Sequence, residues 1–80
     1  MKLNENEIKT SDLCLATSLS LYSPILSIKF ESSGKGIFIF ERSKNNDDLI
    51  DSYWNGSLLV KPLEFFQQLK VLKSRIYAGK

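Results

Sequence analysis

Pro62-Leu63-Glu64-Phe65-Phe66-Gln67-Gln68-Leu69-Lys70-Val71-Leu72-Lys73-Ser74-Arg75-Ile76-Tyr77 is the longest periodic stretch of the chain, and the rest is read against it. Phe65, Leu69, Leu72 and Ile76 recur at the spacing of one helical face, so this stripe is expected to meet a core. Pro62 suits the first helical position, where its missing N–H would have no partner in any case, and Gly79 stands where a helix commonly stops. The upstream elements are expected to pack on this helix, which would make it the main support of the domain.

A second stripe runs along the same helix. Phe66, Lys70, Lys73 and Tyr77 are spaced by four, three and four, which places them roughly 100° round from the first. Alternating rings and cations suit a nucleic-acid surface: lysines neutralise phosphates and release counterions, and ring faces stack on unpaired bases. Arg75 and Lys80 are counted with this basic flank. The competing reading is that Phe66 and Tyr77 widen the core face while the lysine stems cross its border.

Working back from this helix, Leu58-Leu59-Val60 reads as a brief strand. Before it, Asn45, Asn46, Asp47 and Asp48 form a helix start with acidic residues in the favourable first turn; Leu49, Ile50 and Tyr53 follow, and Asn55-Gly56 provides the stop. Leu26, Ile28 and Phe30 alternate with Ser27, Lys29 and Glu31, the pattern of a half-buried strand. Ser32 to Gly36 is a loop, and Ile37-Phe38-Ile39-Phe40 returns as a strand apolar on both faces. One of its two side-chain pairs must therefore point to the side where the partner strand is polar, and something must cover it. Thr10-Ser11-Asp12 caps a short helix expected to bury Leu15, Leu19 and Tyr22. Met1 to Lys9 reads as a mobile tail or short edge strand, and the boundary is drawn there: a tail over residues 1–9 and one domain over 10–80. The expected class is α+β, a small antiparallel sheet (a hairpin plus a short third strand) packed on helices in the order α-β-β-α-β-α.

Composition bounds the function. Eighty residues make one domain too small for a roomy internal pocket, so no small-molecule substrate is expected. There is no histidine, which removes the usual general base, the Ser-His and Cys-His pairs and the commonest metal ligand. The carboxylates Asp47, Asp48 and Asp51 are explained by capping, and Cys14 is the single cysteine, so neither a metal site nor an intrachain disulfide is expected. Catalysis and cofactors are not expected. No apolar run approaches a membrane span and the N-terminus carries no secretory pattern, so a cytoplasmic protein with no membrane partner is expected. Asn55-Gly56-Ser57, formally a glycosylation acceptor, then reads as a turn.

Net charge is +2, unevenly divided. Ser57 to Lys80 holds Lys61, Lys70, Lys73, Arg75 and Lys80 against Glu64 alone, which steers anionic partners but also complements a helix C-terminus. Ser33-Gly34-Lys35-Gly36 lacks the spacing and following helix of a phosphate-binding loop. Phe38 and Phe40 on one strand face, together with Trp54 beside a glycine turn, are the candidate anchors for a protein partner or for a second copy of the chain. The strand of Phe38 and Phe40 looks faintly like the base-stacking strand of RNA-recognition domains, but its aromatics fall at other positions.

Taken together, Asp12-Leu13-Cys14-Leu15-Ala16, Ile37-Phe38-Ile39-Phe40-Glu41, Tyr53-Trp54-Asn55-Gly56, Val60 and Leu69-Lys70-Val71-Leu72-Lys73-Ser74-Arg75-Ile76-Tyr77 carry a resemblance. In this order they resemble a family of small bacterial and mobile-element proteins carried as a domain of unknown function, marked by the Phe-x-Phe strand, the Tyr-Trp-x-Gly turn and the Leu-Lys-x-Arg-Ile-Tyr ending. The resemblance covers about Thr10 to Tyr77 and implies a shared fold. It implies no activity and no site residues. Lys61 departs from the acidic cap that the resemblance leads one to expect before the last helix.

Two functions remain: a nucleic-acid-binding protein using Phe66, Lys70, Lys73, Arg75, Tyr77 and Lys80, or a protein-interaction module using Phe38, Phe40 and Trp54.

Overall fold

The computed structural model describes residues 6–79. The expected α+β class holds, with strands β1 (Glu7–Thr10), β2 (Ile25–Phe30) and β3 (Gly36–Glu41) and helices α1 (Leu13–Ser20), α2 (Lys44–Trp54) and α3 (Pro62–Gly79). The strands form one antiparallel sheet in the order β1-β3-β2.

Two expectations are corrected by that order. The third strand is not Leu58-Leu59-Val60, which belongs to the link between α2 and α3, but the segment from Glu7, read above as a mobile tail or a short edge strand, and of those two the edge strand forms. Ile8 opposite Phe40 is what fixes it: one buried isoleucine on the core face suffices once a long central strand offers a free edge. Residues 1–5 of the expected tail lie outside the described residues.

β3 is apolar on both faces because it is the central strand. Cross-strand partners share a face, so Phe38 and Phe40 lie with Ile8, Ile25 and Ile28 against the helices, while Ile37 and Ile39 lie on the open face with Lys9, Ser27 and Lys29. Between Ile25 and Ser27 the register shifts by a bulge at Leu26. The hairpin closes through Glu31 N–H to Lys35 O (2.9 Å) and Gly34 N–H to Glu31 O (2.8 Å), with Gly34 at φ 91°.

α1 is the centre of the helical layer. The Asp12 carboxylate caps it by accepting from Leu15 N–H at 3.0 Å, and Leu15 through Leu19 are all buried. Only small side chains allow that: Ala16, Thr17 and Ser18 let β1, α2 and α3 approach together. Two of its hydroxyls bond within the helix, Thr17 Oγ1 donating to Leu13 O and Ser20 Oγ to Thr17 O, both at 2.7 Å. α1 is thus the main support, correcting the expectation that α3 would be. α3 does turn Phe65, Leu69, Leu72 and Ile76 inward as its period requires, but of these only Leu72 is fully buried. Tyr22, expected in the core, is largely exposed just beyond α1, and its hydroxyl donates to Leu59 O in the α2–α3 link.

α2 is capped by Ser43, whose Oγ accepts from Asn46 N–H at 3.1 Å, rather than by the Asn-Asp cluster itself. Asn46 is buried, its Nδ2 donating to Glu41 O (2.7 Å) and Ser23 Oγ (3.1 Å), and so ties α2 to the end of β3 and to the segment before β2. The expected stop holds: Gly56, at φ 76°, donates to Tyr53 O (3.1 Å), and Ser57 N–H reaches Ser52 O (2.9 Å), a Schellman closure.

Candidate nucleic-acid interface

The second stripe of α3 is on the surface. Phe66 is 52% and Tyr77 71% exposed, and Lys70 and Lys73 are exposed between them. Lys70 Nζ stands 4.6 Å from the centroid of the Phe66 ring, one helical turn below it, in a cation–π contact. Leu63, on the same stripe, extends the flank by one turn and was not singled out from the sequence, although its i−3 relation to Phe66 carried that signal.

At about 100° per residue, Arg75 lies about 200° round from Lys73, on the opposite side of α3. It is exposed there and does not join the flank, which corrects its inclusion. Lys80 lies outside the described residues. Gln68, which donates from Nε2 to Ser20 Oγ at 3.0 Å, marks the side of α3 that meets α1. By the same helical arithmetic the Phe66–Tyr77 stripe faces away from α1.

Phe38 and Phe40 are both 0% exposed. They fill the space between sheet and helices and are unavailable to a partner, which corrects their assignment as anchors. β3 is paired on both sides, so it has no free edge either. Trp54 is different. It is 65% exposed at the end of α2, with Tyr53 packed edge-on against it at 5.0 Å between centroids. The Tyr53 phenol is pushed up to about 12, chiefly by its hydrogen bond with the Cys14 side chain, then by burial and by the negative charge available at Cys14 and Asp12.

The open face of the sheet carries an arrangement that the sequence did not reveal. Lys9 from β1, Lys29 from β2 and Lys35 from the hairpin loop stand around an open groove of about 540 Å³ floored by Ile37 and Ile39, with Glu31 at its rim. Among the described residues no three acidic, cysteine or histidine side chains come together as a metal site, and no helix is long and apolar enough to cross a membrane.

A family described as a domain of unknown function, DUF5659, matches residues 5–78. The chain belongs to that family. No curated protein and no solved structure matches this DUF5659 domain. The match spans the sheet, α1, α2 and α3 up to residue 78, so the α3 flank and the lysine groove both belong to the DUF5659 domain itself.

Proposed function

We propose that this DUF5659 domain is a non-catalytic intracellular binding module that engages single-stranded nucleic acid along the outer flank of α3. Lys70 and Lys73 contact phosphates, and Phe66 and Tyr77 offer ring faces to unpaired bases. The observation that carries the reading is the placement of two large aromatic side chains, interleaved with two lysines, outside a core that the same helix fills with other residues. Stacking contributes about 1–3 kcal/mol per base. Moving the Lys70 ammonium from the Phe66 ring to a phosphate gives up about 0.5–1 kcal/mol at an exposed site, less than one stacked base returns.

Fluorescence anisotropy of labelled single-stranded and duplex oligonucleotides tests it. We expect a preference for the single strand, a dissociation constant of about 10⁻⁴ to 10⁻⁶ M and weakening with added salt. Lys70→Glu with Lys73→Glu should weaken binding at least about tenfold, since each neutralised phosphate contact becomes a repulsion. Flat titrations at low salt, or binding indifferent to salt, would remove the reading.

Trp54 supports a second reading, a protein-interaction or self-association module, because so large a ring is seldom left this exposed without a partner. As the single tryptophan of the chain, it reports on its own burial. A blue shift of its emission with rising protein concentration, abolished by salt-independent dilution, would favour self-association over the nucleic-acid reading.

A further inference from the structure

The groove on the open sheet face extends to the hairpin end of β2 and β3, where Lys29, Glu31 and Lys35 line it. A Cβ placed on Gly79 would overlap the Phe30 ring, and one placed on Gly36 would lie 3.4 Å from Ile76 Cγ1, so the last turns of α3 rest against the hairpin end of β2 and β3. Tyr77 and Lys73 belong to those last turns, and Lys29 and Lys35 flank that hairpin end in the chain. The flank also faces away from α1, which packs beside β1 at the other edge of the sheet. Basic groups therefore continue from α3, past the half-exposed ring of Phe30, onto the open face. There Lys29 and Lys35 are followed by Lys9 across the sheet. The far end of that face is closed to an anion by Glu7 and Glu41, paired directly opposite each other.

We infer that the single strand bound at the α3 flank continues round the Phe30–Gly79 corner onto the open sheet face, where Lys29, Lys35 and Lys9 take further phosphates. This inference rests on the proposed α3 function and extends its footprint. Charge complementarity favours this occupant: three lysines against one glutamate surround the groove. Its floor offers isoleucines and no ring, so the sheet would hold the backbone of the strand while base stacking stays on α3.

The test is the salt dependence of binding to a labelled oligothymidine of about 16 nucleotides, long enough for either footprint. Five phosphate contacts give a slope of about −3.5 in log K against log salt, and two give about −1.4. Between 50 and 200 mM salt the intact chain should therefore lose affinity about 100-fold, and the Lys9→Gln, Lys29→Gln, Lys35→Gln variant only about 7-fold. Glu31→Gln, which removes the one negative charge at the groove, should tighten binding without disturbing a buried group. A lysine-to-arginine version of the triple variant should keep the steep slope. If the triple glutamine variant binds with the slope of the intact chain while Lys70→Gln with Lys73→Gln loses binding, the sheet path is wrong and the α3 reading stands. If the intact chain does not bind, or if neither variant differs from it, both are overturned.

Discussion

Tyr53 shows how a single contact between helices becomes a pH dependence. An unfolded tyrosine gives up its proton near pH 10, whereas the folded phenol holds it to about 12, mainly through its hydrogen bond with Cys14. Between those values the folded state carries the extra proton, so the stability this group provides is whole below pH 10 and is lost as pH rises towards 12. A melting temperature that falls across that window, with the Tyr53 phenolate absorbance appearing late, is the expected result. Cys14→Ala should bring the phenol back towards 10 and flatten the fall; an unchanged titration would show that Cys14 is not the cause. Residue-level signals of this kind were partly legible in the sequence. Asp12 and Gly56 act as cap and stop because those roles depend on immediate neighbours. Asn46 was read as one of several capping residues, yet it is buried and bonded to residues 5 and 23 positions away, which local pattern does not encode.

At the level of elements, the helical face of α3 was legible because a period of 3.6 needs only one segment to declare itself. α1 was legible as a capped short helix that buries Leu15 and Leu19, but its central place was not, because small side chains carry no apolar period and yet are what a helix needs to be enclosed by a strand and two other helices. Ala16 is fully buried in that enclosure, so Ala16→Leu should lower the free energy of unfolding by about 1–3 kcal/mol, seen as a reduced urea midpoint at constant m. Leu63→Ala, on the exposed flank of α3, should change it by no more than about 0.5 kcal/mol. Equal losses at both positions would mean that α3, and not α1, is the tightly packed helix. β1 was read only as one of two alternatives, tail or short edge strand, for a related reason: a four-residue segment with one buried isoleucine carries no period of its own, and its partner β3 is far along the chain. The lysine groove is built from three separate segments, and strand order and register are needed to bring them together.

For the whole molecule, the double apolarity of Ile37 to Phe40 was read correctly as a strand in need of cover, and the two faces receive different cover. Helices close over Phe38 and Phe40; on the other side Ile39 is buried between Lys9 and Ser27, its partners across the ladder. Phe38→Asp would place an unpaired carboxylate in the only large core of the described residues, at a cost comparable with the total stability of a domain this size. The expected outcome is loss of any cooperative thermal transition; a folded, soluble monomer would contradict the placement of that face. The same sheet has two outer strands, and each is spoiled as a template for further pairing. One is only four residues long. The other is kinked by the extra residue at Leu26 and carries Lys29 pointing outward. An oily three-stranded sheet in a chain of eighty residues would otherwise invite stacking strand upon strand, so the irregularity of β2 acts as a guard against fibrous assembly.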